Sequence, residues 1–210
     1  MKTKFIMVVS LFLFIAQIFY AQSKINISVG GGYLISPNST DKLQYWDNGY
    51  SINLSLEYLL KENISLSFSS SYQNHFYDEK LLELAAPDVL GYKFTVEGEN
   101  STTYDFSFKG RIYTSTSFIR PLFSLGFGVL LINQGNVVET NWIEGNEVNK
   151  SSFSLRGSNN NYTIGQFSVG TGFELSFNNS VKMLIEGNVV SSFNDGLIYF
   201  PITTSIKFGL

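Results

Sequence analysis

The chain has 210 residues, of which 15% are charged and 16% aromatic, with a formal net charge of −3 and no cysteine. Soluble domains carry about 25% charged residues, so this chain has too little charge to cover a fully water-exposed surface. The acidic balance argues against a nucleic-acid partner, which would need a basic stripe. Without cysteine there is no disulfide framework, thiol chemistry or lipid attachment through an N-terminal Cys.

Residues 1–21 are predicted to be a secretory signal peptide, which leaves residues 22–210 as the mature domain. Lys2 and Lys4 precede the uncharged apolar run Phe5–Tyr20, and cleavage is expected after Ala21. An uncleaved membrane anchor is the alternative, but the run is short for a span. Removing the two lysines from the 14 basic residues leaves 12 against 17 acidic ones, a net charge of −5.

Apolar and polar residues alternate with period two along the mature chain, as in Ile52–Tyr58 and Ile64–Ser69. Because successive side chains of a strand point to opposite faces, each such segment predicts a strand with one apolar and one polar face. No apolar run after residue 21 approaches the ~20 residues of a membrane helix, so a membrane protein must here be built from strands. Eight strands are predicted, over Lys24–Ser36, Gly49–Leu60, Ile64–Gln73, Thr102–Thr114, Ser117–Ile132, Tyr162–Phe177, Val181–Phe193 and Ile198–Leu210.

The alternation of apolar and polar residues is interrupted at two places. Leu130–Ile132 is apolar throughout, and Ile164 is out of phase with Phe167. The second interruption predicts a β-bulge near Gly165.

The links between the predicted strands alternate in length. Short links are expected at Lys61–Asn63, Ser115–Thr116, Asn178–Ser180 and Asn194–Leu197, and long ones at Pro37–Asn48, Asn74–Ser101 and Asn133–Asn161. Short turns at one end and long loops at the other are typical of an outer-membrane barrel whose long loops lie outside the cell. Within the second long loop, Asp78–Leu90 is either a short amphipathic helix or an irregular loop.

The phase of each strand assigns its residues to the two faces. The outward face includes Ile25, Leu54, Phe106 and Val169, and the inward face is mostly Ser, Asn and Gly. Small polar residues with a few long charged ones suit the narrow interior of an eight-stranded barrel. The inward charges are Glu57, Asp105, Lys109, Arg111, Arg120, Glu174, Lys182, Glu186 and Lys207.

These charges are expected to form a structural network, because isolated charges in a narrow lumen would be costly. Asp105 in particular is expected to partner Lys109 or Arg111. A conducting or proton-carrying lumen is the alternative. A soluble lipocalin-like barrel with the apolar face inside is a further alternative, but the long aromatic residues would overfill its interior.

No catalytic, cofactor-binding or metal-ligating set is predicted. The one histidine, His75, would need Asp78 or Glu79 and a hydroxyl for hydrolytic chemistry, and a rim or loop position is the simpler interpretation. A carboxylate-only calcium site in the loops stays open.

Aromatic residues in the predicted long loops are candidate contacts for a protein or glycan partner. Packing of the loops on themselves is the alternative. The candidates are Tyr45, Trp46, Phe76, Tyr77 and Trp142.

The signal peptide, the eight alternating strands and the final strand Ile202–Leu210 together resemble the small outer-membrane β-barrel proteins of Gram-negative bacteria, the OmpX-like, Ail-like and OmpA-barrel group. Tyr20–Gln22 and the Asn-rich composition look like Bacteroidetes proteins. The resemblance implies an all-β, eight-stranded antiparallel up-and-down transmembrane barrel with short periplasmic turns and long extracellular loops. In that group the last strand commonly ends in an aromatic residue, whereas here Phe208 lies two positions before the terminal Leu210.

The resemblance also implies partners and a function. The expected partners are outer-membrane lipid and lipopolysaccharide, the barrel-assembly machinery through the last strand, and a host or cell-surface protein or glycan. The expected role is structural or surface-interacting, in adhesion or envelope integrity. Transport of a small hydrophobic solute and a lipid-modifying enzyme that uses His75 are the alternatives.

Overall fold

The computed structural model describes residues 24–36, 46–78, 92–115, 117–143, 146–153, 160–178, 180–193 and 196–210. Within these ranges no helix is long or apolar enough to cross a membrane. The strands are β1 (Ile25–Ile35), β2 (Trp46–Lys61), β3 (Ile64–Tyr77), β4 (Tyr92–Gly98), β5 (Ser101–Tyr113), β6 (Ile119–Asn133), β7 (Val137–Ile143), β8 (Asn146–Phe153), β9 (Asn161–Ser176), β10 (Val181–Ser192) and β11 (Ile198–Gly209).

Eight of these strands close into a barrel in the order β1-β11-β10-β9-β6-β5-β3-β2. Every neighbouring pair is antiparallel, and the seam is closed by β1 against β11, where Ile27 pairs with Phe208. The predicted fold class and the eight predicted strands are confirmed. The main difference in bounds is at β2 and β3, which continue further than predicted because Trp46 pairs with Tyr77.

The two faces of the barrel wall follow the alternation of the sequence. Leu54, Phe108 and Phe127 are exposed on the outside, whereas Ser107 and Ser168 are buried inside. A continuous apolar exterior around a polar interior is the pattern of a barrel that contacts lipid. The inverted, lipocalin-like arrangement is therefore wrong. Ile25, predicted to be exposed outside, is instead buried at the end of the seam, where its carbonyl accepts a hydrogen bond from the Leu210 amide at 3.0 Å.

The two predicted interruptions of the alternation do not disturb the pairing of the barrel strands. Leu130 and Ile132 point inward and are buried, while Leu131 between them is 40% exposed outside. β9 pairs with β6 without a register shift from Ile119 to Asn133, so the predicted bulge near Gly165 is wrong. Ile164 faces a part of the interior that is apolar. Its position could not be predicted on the assumption that every inward residue is polar.

A second, three-stranded sheet of order β4-β7-β8 was not predicted. β4 and β7 continue the hairpin of β5 and β6 beyond the barrel, because Thr102 pairs with Asn133 and Gly98 pairs with Val137. At a rise of ~3.3 Å per residue, the seven residues of β4 extend this wall by roughly 20 Å. We call β4, β7 and β8 the extension. Residues 79–91, which hold most of the predicted helix, lie outside the described residues.

The barrel has two different ends. At the short-turn end, β2 is linked to β3, β5 to β6 and β9 to β10 by two to five residues. At the long-loop end lie the other links and the extension. Both chain ends of the barrel, at Ile25 and Gly209, fall at the short-turn end, since β1 and β11 pair there with the Glu57 end of β2 and the Val181 end of β10.

Candidate functional site: the barrel interior

Glu57 on β2 is buried at the short-turn end and is surrounded by donors. Lys207 of β11 forms an ion pair with it, and Arg111 of β5 approaches its Oε1 to 3.5 Å. The hydroxyls of Ser65 and Tyr113 donate to the same oxygen at 2.6 and 2.7 Å. The carboxylate therefore has both charge compensation and hydrogen bonds, which a buried charge requires.

Glu186 on β10 is held in the same way from the opposite wall. Arg111 donates to its Oε2 from Nη2 at 2.9 Å and from Nε at 3.2 Å. Ser124 donates to Oε1 at 2.7 Å, and the Lys109 ammonium lies 3.6 Å from that oxygen. Lys109 also donates to Asn188 Oδ1 at 3.3 Å. Arg111 thus bridges two carboxylates from different strands.

Glu174 on β9 is the third carboxylate of this region. It pairs with Lys207, with Arg120 at 3.0 Å and with Lys182 at 3.6 Å. The Arg120 guanidinium carbon lies 4.3 Å from the centre of the Tyr113 ring, within cation–π range. Lys207 contacts both Glu57 and Glu174, so it joins the two halves of one cluster.

Arg120 also connects this cluster to the turns. It donates from Nε to the backbone carbonyl of Ser115 at 3.0 Å and from Nη2 to the carbonyl of Glu62. Two short turns are therefore fixed to the side chains that fill the barrel beside them. Three glutamates and five basic residues close this end of the lumen, and we call them the charge network. Its members are Glu57, Lys109, Arg111, Arg120, Glu174, Lys182, Glu186 and Lys207.

Asp105 does not belong to that network, although it was expected to partner Lys109 or Arg111. Its Oδ1 accepts a hydrogen bond from Gln166 Nε2, and the ion pairs among the described residues do not include it. Both basic residues are directed to Glu186 instead. The reason is their depth in the barrel, because Asp105 lies toward the long-loop end of β5 whereas Lys109 and Arg111 lie toward its short-turn end.

Above the charge network lies a cavity of about 50 Å³, room for a few water molecules. Most of the residues that line it are polar. Residues that line it include Ser28, Ser51, Asn53, Ser55, Gln73, Asp105, Lys109, Gln166 and Asn188. The free space in the middle of the lumen is therefore lined mainly by polar residues and is too small for a solute of metabolite size.

The long-loop half of the interior is filled by apolar side chains, which we call the apolar seal. Its buried members are Leu34, Trp46, Tyr77, Val96, Leu130, Ile132, Val137, Ile164, Val190, Leu197 and Tyr199. They come from barrel strands, from β4 and β7 of the extension, and from the link before β11. The seal closes the lumen from above by packing, as the charge network closes it from below by ion pairs.

His75 packs against this seal and has no exposed surface. Its ring stacks on Trp46 with centroids 4.0 Å apart, and its edge contacts Tyr199 at 5.6 Å. Neither ring nitrogen has a hydrogen-bond partner among the described residues. The predicted rim position is therefore wrong. No hydroxyl or carboxylate in this part of the chain is placed to activate His75, and Glu79, one of its two candidate acids, lies outside the described residues.

The candidate loop contacts separate into different environments. Trp46 and Tyr77 are only 3% and 7% exposed because they belong to barrel strands and pack inside, so their prediction as surface contacts is wrong. Phe76 is exposed on the outer wall, 6.1 Å from Tyr50 between ring centroids. Trp142 lies on β7 and donates from Nε1 to Thr95 Oγ1 at 3.0 Å. The fifth candidate, Tyr45, lies outside the described residues.

Several polar residues that sequence reasoning did not single out stand out in the structure. Buried oxygens of Ser51, Gln73, Thr103 and Gln166 have no hydrogen-bond partner among the described residues. The signal available in the sequence was their inward phase, and it did not distinguish them from the other small polar residues of the wall. No group of three or more His, Asp or Glu side chains in the described ranges is arranged to hold a metal ion.

Neither a known protein-family profile nor a curated protein sequence matches the chain. Solved structures do match. The outer membrane protein OprG from Pseudomonas aeruginosa is 11% identical, with a TM-score of 0.51, over 88% of this chain and 96% of that chain. Neisserial surface protein A is 12% identical over 90% and 97% of the two chains, with a TM-score of 0.47. Ail from Yersinia pestis is 10% identical over 88% and 98%, with a TM-score of 0.45.

The chain has the fold of the small outer-membrane β-barrels, as its sequence predicted. At these identities the likeness concerns the fold, and the same barrel serves unrelated functions. Function must therefore be argued from this chain's own interior and extension.

Proposed function

We propose that the protein is an outer-membrane barrel closed to solutes, with its short turns in the periplasm and its extension outside the cell. Its role is structural or surface-interacting, in adhesion or envelope integrity, and it is not an enzyme. Residues 1–21 direct export. The last strand, with Phe208 and Leu210 exposed on its outer face, is the segment presented to the barrel-assembly machinery.

The observation that carries this proposal is that the lumen is filled from both ends. The charge network occupies the short-turn half, the apolar seal occupies the long-loop half, and about 50 Å³ of polar space lies between them. A pore or solute channel needs a continuous aqueous or apolar path. A barrel filled in this way favours the role of a rigid scaffold that presents the long loops and the extension at the cell surface.

The extension supports the surface-interaction part of the proposal. It projects from the long-loop end, beyond the apolar exterior that suits lipid, and β8 is exposed from Glu147 to Ser152. Its charges are nearly balanced, with Glu97, Glu139 and Glu147 against Lys93 and Lys150. A host or cell-surface protein or glycan is the proposed partner class, with lipid and lipopolysaccharide around the barrel wall.

The closed lumen is tested by recording from the purified mature protein in planar bilayers. We expect no steady conductance, because neither the charge network nor the apolar seal leaves a continuous path for ions. A reproducible ion current would contradict a closed scaffold and would favour the transport alternative instead.

The two roles are separated with a variant that lacks residues 138–159 and joins Val137 to Asn160 through two glycines. The ends suit this junction, because Gln134 N donates to Asn160 O at 2.9 Å and Asn160 Nδ2 donates to Asn136 Oδ1 at 2.7 Å. Both proteins are expressed in a deletion strain and compared for detergent resistance and for adhesion to host cells.

If β7 and β8 of the extension carry the function, the shortened barrel assembles in the outer membrane but does not restore adhesion. Full restoration of detergent resistance by the shortened barrel would assign envelope integrity to the barrel itself. A strain whose resistance and adhesion do not change on deletion of the whole protein would contradict both roles.

A further inference from the structure

Four oxygen-bearing side chains face the central cavity from four strands. Ser51 of β2, Gln73 of β3, Asp105 of β5 and Gln166 of β9 all line it. Ser51 pairs directly with Gln73 across the β2–β3 ladder, and Asp105 lies on the same face of the neighbouring strand. The four side chains therefore converge on one small space.

Three of these side chains are left short of partners. Ser51 Oγ, Gln73 Oε1 and Gln166 Oε1 are buried without a hydrogen-bond partner among the described residues. The residues themselves are only 4%, 2% and 2% exposed. A buried polar atom without a partner costs about 1–3 kcal/mol, so three around one cavity indicate that the cavity holds something that satisfies them.

The orientation of Gln166 shows which kind of partner is missing. Its Nε2 donates to the Asp105 carboxylate, which only accepts hydrogen bonds when ionised. Its Oε1 must therefore be the atom that faces away from Asp105. Two of the three free atoms are amide oxygens, which only accept, and the third is the Ser51 hydroxyl, which can accept as well as donate. Such oxygens beside a carboxylate are ligands that a metal cation prefers.

The charge of Asp105 is not used by the charge network. Lys109 lines the same cavity, but its ammonium is directed to Glu186 at 3.6 Å and to Asn188 Oδ1 at 3.3 Å. Arg111 is likewise engaged with Glu186 and Glu57. Asp105 thus remains a half-buried carboxylate whose compensating charge is not supplied by an ion pair within the described residues.

We propose that Asp105, Ser51, Gln73 and Gln166 bind one monovalent metal cation, of the size of Na⁺ or K⁺, in the middle of the barrel. One carboxylate with neutral amide and hydroxyl oxygens matches a single positive charge. The small cavity and the two seals exclude larger organic cations. The site is independent of the proposed surface role, because nothing in it reaches the extension.

The test measures urea unfolding of the mature protein in phospholipid vesicles at constant ionic strength, with choline chloride replaced stepwise by NaCl or KCl. Choline is too large for the cavity, so only a bound small cation stabilises the barrel. The folded-to-unfolded ratio should rise saturably, by about tenfold when the cation is at ten times its dissociation constant.

Asp105→Asn keeps the shape of the side chain and removes its charge, so the cation-dependent rise should disappear. Ser51→Ala removes one neutral oxygen, so half-saturation should need several-fold more cation, and this variant serves if Asp105→Asn does not fold. Glu147→Gln, an exposed carboxylate on β8, should respond like the wild type.

A stability that is the same in all three salts would overturn the proposal and leave the cavity to water alone. An equal response in wild type, Asp105→Asn and Ser51→Ala would also overturn it, since the cation would then act elsewhere.

Discussion

The two halves of the barrel interior are enclosed by the same strands and filled in opposite ways. Toward the short turns, Glu57, Glu174 and Glu186 are neutralised by basic side chains from other strands. Toward the long loops, side chains such as Leu130 and Tyr199 exclude water by packing. Strand periodicity decides which residues face inward, but the depth of a residue along the barrel decides whether that position is polar or apolar.

The difference has an energetic consequence. A buried polar network depends on every member, because removal of one partner leaves another buried charge uncompensated. An apolar cluster accepts replacement by side chains of similar volume. The short-turn half should therefore be intolerant of conservative change, and the long-loop half tolerant of it.

The largest effect is expected for Glu57→Gln. It preserves shape and removes the charge that faces Lys207 and Arg111, so it should lower the free energy of unfolding by about 3–5 kcal/mol. The measurement is urea unfolding in lipid vesicles. The matched conservative change in the other half, Leu130→Met, should cost less than about 1.5 kcal/mol. Equal costs for the two variants would contradict the contrast between the halves.

The second largest effect on the free energy of unfolding is expected when the outer face of the barrel wall is compared with the inner face. Leu54 is exposed on the outer wall beside the inward Asn53, so Leu54→Arg places a charge in lipid at a cost of about 2–4 kcal/mol. Asn53→Ser, which keeps a small polar group in the lumen, should cost less. Both are measured by the same unfolding assay, and tolerance of Leu54→Arg together with loss of folding in Asn53→Ser would mean that the faces are inverted.

A glycine pair tests how tightly the barrel wall is packed around the middle of the lumen. A Cβ added at the inward Gly128 would lie 2.2 Å from the Phe106 backbone oxygen, whereas one at the outward Gly110 meets nothing nearer than Leu66 Cδ2 at 3.9 Å. Gly128→Ala should therefore destabilise by about 1–3 kcal/mol through overpacking. Gly110→Ala is the control and should be close to neutral; the reverse order would show that the lumen has spare room.

The smallest effect is expected in the apolar seal. His75→Phe keeps the stack on Trp46 and removes two buried nitrogens that have no partner, so stability should stay within about 1 kcal/mol or rise. His75→Ala, which empties the position, should cost about 3 kcal/mol by analogy with other aromatic truncations. A cost above about 2 kcal/mol for His75→Phe would show that its nitrogens bond to trapped water.

Much of this architecture was predictable from the sequence. The period of two and the alternating link lengths were enough to predict the eight strands, their faces and the end that carries the long loops. The charged residues of the lumen were also found by phase, although their pairing was not. Asp105 and Lys109 are close in sequence, yet Lys109 pairs with Glu186 of β10, because pairing across a lumen depends on barrel geometry rather than on sequence distance.

Two features could not be predicted because they break the rule that made the rest predictable. Apolar inward residues such as Leu130, Ile132 and Ile164 interrupt the alternation of polar and apolar residues. The interruption is explained only when the long-loop half of the lumen is known to be apolar. The extension continues β5 and β6 beyond the barrel without a lipid-facing side. Its strands β4 and β7 therefore lack the strict alternation of a membrane wall, and they were assigned to loops.

The central claim is that the charge network and the apolar seal together close off the middle of the lumen. The most direct test is whether a water-soluble reagent can reach that space. The chain has no cysteine, so one thiol introduced at the buried, cavity-lining Ser55 reports on it alone. Reaction of Ser55→Cys in folded barrels with a charged, water-soluble thiol reagent is compared with Ser151→Cys on exposed β8. The account predicts that Ser151→Cys is labelled at once, while Ser55→Cys is protected until the barrel unfolds. Equally rapid labelling at both positions would contradict it.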